Sequence, residues 1–168
     1  SVDAGGTVTV TGANATTDRG ITRYNNYGLQ LLTTGAVNLK WIDAEYNDQV
    51  GVNVQNMGAS GSLTATDIYS SYNGSVGMQV SVPGSIVLNK GIFYSNPSGN
   101  LFLANNLSLL SSVSVADVES YSAPTGITIY SYGAVTVKNT NVSGINGGGD
   151  GLYIEQQGTG SGAVSISG

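Results

Sequence analysis

Apolar and polar residues alternate in short runs along the whole chain. Within residues 36–54 the pattern is complete: Val37 and Leu39 alternate with polar neighbours, then Ile42, Ala44 and Tyr46, then Val52 and Val54. Three period-two runs with turns between them predict three short β-strands rather than a helix. Relatives of this unit recur to the end. One family is led by glycine: Gly28-Leu29-Gln30-Leu31, Gly51-Val52-Asn53-Val54, Gly77-Met78-Gln79-Val80, Gly99-Asn100-Leu101, Gly126-Ile127-Thr128-Ile129 and Gly151-Leu152-Tyr153-Ile154, with successive glycines 22 to 27 residues apart. A second family keeps step with it: Val8-Thr9-Val10, Val37-Asn38-Leu39, Leu63-Thr64-Ala65, Ile86-Val87-Leu88, Val113-Ser114-Val115, Val135-Thr136-Val137 and Val164-Ser165-Ile166. A weaker third family contains Ile42-Asp43-Ala44, Ile68-Tyr69-Ser70, Val118-Glu119-Ser120 and Thr140-Asn141-Val142.

A period in the twenties fits leucine-rich repeats or β-helices, and the leucine-rich signature is missing. Val, Ile and Thr in period two, with Gly, Ser and Asn at the corners and no 3.6-residue stripe, predict an all-β solenoid of about six to seven coils. One coil cannot bury its inner face alone, so stacking must supply the core. The inward column is expected to be Val8, Val37, Leu63, Ile86, Val113, Val135 and Val164. Two stretches break the regularity. Residues 13–27 are expected to project as a loop carrying Asp18, Arg19, Arg23, Tyr24 and Tyr27, and residues 105–112 to form a bulge or longer turn.

After the third strand come Tyr46-Asn47, Tyr72-Asn73 and Ser95-Asn96. An asparagine in a tight corner bonds its own backbone and tolerates left-handed dihedrals, and stacked copies can bond one another, so Asn47, Asn73 and Asn96 predict a structural ladder. With this ladder and the three strand families, the chain resembles the right-handed parallel β-helix repeats of the pectin-lyase-like superfamily and of bacterial surface adhesins. The resemblance covers nearly the whole chain from Gly6 and implies a right-handed parallel β-helix. Residues 1–168 then form a single β-solenoid domain. No capping helix is evident at either end and no basic-then-apolar leader precedes Ser1-Val2-Asp3, so the domain is expected to be a segment of a larger protein, with end-to-end or edge self-association favoured by its open strands.

Composition narrows the chemistry. The 168 residues contain neither cysteine nor histidine, which removes disulfides, thiolate metal sites and the commonest general base. Charged residues make up 9% of the chain and the net charge is −5, which argues against nucleic-acid binding; no apolar run is long enough to insert in a membrane. At 40% hydrophobic residues, the chain has enough apolar surface to order itself.

Candidate sites are few. The superfamily's galacturonan hydrolases imply an Asn-Thr-Asp element and a Gly-His-Gly element. Here Asn139-Thr140-Asn141 lacks the acid, and the histidine is absent, so no catalytic residue is assigned and the protein is expected not to be an enzyme. Asp43 and Glu45, outward on one strand, are the candidate ligands for calcium, the one cofactor considered. Trp41, Tyr69, Tyr94 and Tyr121, on or near outward positions, are the candidate surface for stacking sugar rings, with Phe102 and Tyr153 outward on another face. A one-residue slip around residues 91–94 would flip those side chains. The expected function is a non-catalytic structural or adhesin-like segment of a secreted or cell-surface protein, its partner a polysaccharide or cell-surface glycan. The alternative is a carbohydrate-binding or polysaccharide-processing pectin-lyase-like module.

Overall fold

A computed structural model of the chain describes residues 2–12, 20–105, 111–157 and 162–168. Residues 13–19 of the expected loop and 106–110 of the expected bulge lie outside this set. The described residues hold sixteen β-strands and no helix. They are wound as a parallel β-solenoid of about six turns.

Two sheets make up the coils. The first contains β1 (Val2–Ala4), β4 (Leu29–Thr33), β6 (Val52–Asn56), β8 (Val76–Val82), β10 (Gly99–Asn105), β12 (Ile127–Ser131) and β15 (Leu152–Gln156), stacked in that order. The second contains β2 (Val8–Thr11), β5 (Val37–Glu45), β7 (Leu63–Ser71), β9 (Ile86–Tyr94), β11 (Val113–Tyr121), β13 (Val135–Lys138) and β16 (Val164–Ser167), with β3 (Gly20–Arg23) beside β5 and β14 (Asn141–Ser143) beside β11. Every pair is parallel and links one coil to the next.

The inward column runs Val8, Val37, Leu63, Ile86, Val113, Val135 and Val164 in direct register, as the alternation requires. Its central members are fully buried, with Leu31, Val54, Met78, Leu103 and Ile129 packed from the opposite sheet. In the four central coils, the second and third predicted strands join into one nine-residue strand, bent where a residue takes a positive φ: Trp41 (57°), Asp67 (55°), Lys90 (59°) and Asp117 (54°). Bulky Trp and Lys are intrinsically poor in that region, so tertiary packing fixes the bend.

Three sequence readings shift. Arg23 and Tyr24 do not belong to the projecting loop: Gly20–Arg23 pairs with Ile42–Glu45 as a third strand of the first coil. Its inward positions are Gly20 and Thr22, so it carries no apolar alternation to read. Around residues 91–94, Gly91 takes the inward place of Ile68 and Phe93 that of Ser70. Finally, Asn100 and not Gly99 aligns with Gly77, while Gly99 adopts φ 136°, a conformation that residues with side chains rarely take. The aligned position is crowded: a Cβ on Gly51 would lie 2.6 Å from the Gly77 carbonyl oxygen and 2.6 Å from Asn73 Nδ2.

Candidate functional site

The corner after the third strand is the most polar part of the interior. Asn47 Nδ2 donates to Asn73 Oδ1 (2.8 Å), Asn73 Nδ2 to Asn96 Oδ1 (3.1 Å) and Asn96 Nδ2 to Asn100 Oδ1 (2.9 Å). The Oδ1 atoms of Asn47, Asn73 and Asn96 also accept the backbone N–H of the preceding coil's asparagine, donated by Asn25, Asn47 and Asn73 respectively. Asn47, Asn73, Asn96 and Asn100 are buried, so their amides complete backbone bonds that water cannot reach. The next coil has Ala123 at this place. Asn100 compensates from the neighbouring column, donating to Ser120 Oγ and the Tyr121 carbonyl.

Outside this ladder stands a second one, of tyrosines. Tyr24, Tyr46 and Tyr72 each precede a ladder asparagine and each have positive φ. Their rings stack at 5.8 and 5.1 Å. In the next two coils Ser95 and Ser122 take the positive-φ place and the aromatic moves back one residue. Tyr94 meets Tyr72 edge-on at 5.0 Å, and Tyr121 stacks on Tyr94 at 4.9 Å and 4°. Five rings on successive coils thus form a continuous column along the axis.

The column changes the expected sugar-stacking surface. The faces of Tyr94 and Tyr121 cover each other, Tyr69 meets Tyr94 edge-on at 5.6 Å and shares a hydroxyl hydrogen bond with it, and Lys40 Nζ lies 4.1 Å over the Trp41 ring at the bend. One face each of Tyr94, Tyr121 and Trp41 is therefore covered by a neighbour. Burial raises the pKa of Tyr69, Tyr46 and Tyr121 above that of an ordinary phenol, and the hydrogen bond to Tyr94 adds to the effect at Tyr69. A raised folded-state pKa means stability is intact below the unfolded value near pH 10 and falls as pH rises beyond it, because only the unfolded chain ionises readily. Melting temperature should accordingly decline above about pH 10. The decline should be shallower in Tyr69→Phe, and phenolate absorbance should rise late in the folded protein.

The acidic pair also differs from expectation. Glu45 is buried; Arg23 donates to its Oε2 and Ser71 Oγ to its Oε1 (3.0 Å), while Asp43 lies 3.9 Å from the same guanidinium. Glu45, by its charge, raises the Arg23 pKa, with burial opposing. Arg23 thus pairs with Glu45 and lies beside Asp43, the two residues expected to ligate calcium. The pairing is not legible in the sequence, because the pattern there predicts a loop at Arg23. Among the described residues no group of three or more carboxylates is placed to hold a metal ion.

A different surface emerges on the outer face of the first sheet. Two outward columns run there side by side: Gln30, Asn53, Gln79, Phe102, Thr128 and Tyr153, then Leu32, Gln55, Ser81, Ala104, Tyr130 and Glu155. Because Ser81 and Ala104 are small, the surface sinks between Gln55 and Tyr130 into an open groove of about 610 Å3, edged by Gln79 and Phe102 on one side and by Met57 and Gln157 on the other. Phe102, Tyr130 and Tyr153 follow one another at 5.4 and 5.9 Å with tilted rings. The sequence reading named Phe102 and Tyr153 but missed Tyr130, although alternation carried one residue past Ile129 places it outward.

The fold and these surfaces define a parallel β-solenoid with ladder-lined corners. No protein-family model matches the chain, and neither a curated protein nor a solved structure shows a match to it.

Proposed function

We propose that this chain is a non-catalytic, adhesin-like segment of a secreted or cell-surface β-solenoid, related to the right-handed repeats of the pectin-lyase-like superfamily. The observation that carries this reading is the exterior itself. Coil after coil presents uncharged polar and aromatic columns, Tyr24 to Tyr121 at the corner and Gln30 to Tyr153 on the first sheet, on a scaffold where Asp43 and Glu45 face Arg23. Such a surface suits many weak contacts along a rod. A polysaccharide-processing module is the second reading, favoured by the groove beside Phe102 and Tyr130.

Antibody raised against the segment should label intact producing cells or their medium, and external protease should remove the cell-bound signal. Signal seen only after lysis would overturn the surface assignment. Release of new chain ends from a polysaccharide incubated with the protein would overturn the non-catalytic one in favour of the second reading.

A further inference from the structure

We infer that the groove on the outer face of the first sheet binds a neutral polysaccharide, laid against the Phe102–Tyr130 ridge with its hydroxyls met by Gln55, Gln79 and Gln157. The inference rests on the surface-exposed reading above and gives that surface a ligand class.

The chemistry of the lining carries it. None of the groove's side chains is charged: amides, one serine hydroxyl, a thioether and aromatic rings surround the small floor residues Ser81 and Ala104. A nucleic acid or a polyuronate would find no cation here to meet its charge. A purely apolar partner would strand the amides of Gln55, Gln79 and Gln157 without hydrogen bonds. A neutral sugar chain matches both halves, since its ring faces are apolar and its rim is studded with hydroxyls that donate and accept, as amides do. Few precisely placed polar groups beside aromatic walls are the usual make-up of a small-molecule or glycan site.

The shape agrees. Phe102 and Tyr130 also line a second hollow of about 200 Å3, with Ser98, Gly99, Thr125 and Thr128, on the other flank of the ridge. The rings therefore stand between two depressions, the larger amide-lined and the smaller lined in part by hydroxyls. A polymer running along the larger hollow rests its ring faces against this ridge and turns its hydroxyls to the amides. Parallel strands lie about 4.8 Å apart, close to the length of one sugar unit, so equivalent side chains on successive coils meet successive units.

One further atom points the same way. Asn53 is 4% exposed and its Oδ1 has no hydrogen-bond partner among the described residues, although it stands in the column directly before Gln79 and two residues from Gln55. A buried amide oxygen without a donor is uncommon. The amide of a neighbouring glutamine, reoriented by a bound hydroxyl, would satisfy it.

The test is electrophoresis of the folded protein in native gels cast with mixed-linkage β-glucan, galactomannan or polygalacturonate, with thermal melts run on every variant. At least one neutral polymer should retard the protein. Tyr130→Leu, which keeps apolar bulk but loses the flat ring, should weaken that affinity at least about tenfold, or about 1.4 kcal/mol. Gln79→Ala should weaken it as well, and Tyr46→Ala, on the corner column, should leave it unchanged. Retardation by no neutral polymer, by polygalacturonate alone, or undiminished in both groove variants would overturn the groove assignment. Since binding is read on purified protein, that failure is separate from a failure of cell-surface labelling.

Discussion

Phe93→Ser and Gly91→Ile should each destabilise the protein strongly when made alone, and the double variant should recover most of the loss. Phe93 is the largest fully buried side chain and sits where the coils on either side place Ser70 and Ser120. Its ring reaches sideways into the inward position vacated by Gly91, where those coils have Ile68 and Val118; a Cβ on Gly91 would lie 2.5 Å from Phe93 Cε2. The two residues are one packing solution. Truncating the ring leaves a cavity costing about 3–5 kcal/mol, and adding a side chain at 91 against the intact ring costs about 1–3 kcal/mol or more.

Together the substitutions write the coil containing Ile68 and Ser70 into the next coil. The serine hydroxyl has a precedent there, since Ser70 Oγ donates to the Gly77 carbonyl at 2.7 Å, and Asn100 offers the aligned carbonyl for a serine at 93. The double variant should lie within about 1 kcal/mol of the parent, giving a coupling of at least about 3 kcal/mol, at the upper limit for contacting pairs. Urea denaturation measures it, through shifts of midpoint at constant slope. A double variant as unstable as the sum of the singles would contradict the register between β7, β9 and β11.

This pair also shows what the sequence could and could not reveal. Val8, Val37 and Leu63 were legible as one column because β-branched and Leu side chains repeat at a fixed place, and burial demands that repetition. Residues 91–94 were ambiguous because Gly91 offers no side chain to count and Phe93 looks outward or inward depending on a slip of one. The repeat places Trp41, Asp67, Lys90, Asp117 and Asn139 at equivalent turn positions, but Trp41 and Lys90 give no sign of left-handed backbone, whereas at the Asp and Asn positions the residue type permits it. The Asn47, Asn73 and Asn96 corner was readable because asparagine has a local reason to be there, whereas Asn100 joins through a one-residue offset from Gly99 that spacing alone misassigned. The Arg23–Glu45 pair and the groove between Gln55 and Tyr130 depend on which coils neighbour which. At the Arg23 strand no apolar repeat fixes the register, and in the groove the partners are polar or small, so the structure supplies the adjacency there.

Asn73→Ala should be the most damaging single change at the corner. Its Nδ2 donates to the Ala44 carbonyl (3.0 Å), Ser70 Oγ (3.0 Å) and Asn96 Oδ1 (3.1 Å), and its Oδ1 accepts the backbone N–H of Asn47 (3.1 Å) and Asn47 Nδ2 (2.8 Å). Asn47 Nδ2 keeps the Thr22 carbonyl, but the buried Asn47 N–H keeps nothing. An orphaned buried donor costs about 1–3 kcal/mol and each lost bond about 1 kcal/mol more, so the total should reach about 3–5 kcal/mol. For a protein of this size that is a melting-temperature fall of roughly 6–20 °C. Asn25→Ala should change stability by less than about 0.5 kcal/mol, because Asn25 is exposed and its tie to Asn47 runs through the backbone N–H, which alanine retains. Hydrogen exchange separates local from global effects: the Asn47 amide should lose protection first in Asn73→Ala, since each coil is held mainly by its neighbours. The consequence reaches the surface, because Tyr46 and Tyr72 hold positive φ immediately before the bonded asparagines. Releasing Asn73 frees Tyr72 to leave that strained conformation, so near-ultraviolet dichroism of the stacked tyrosines should weaken with it. Unchanged tyrosine signals alongside a protected Asn47 amide would show that the outer ladder stands without the inner one.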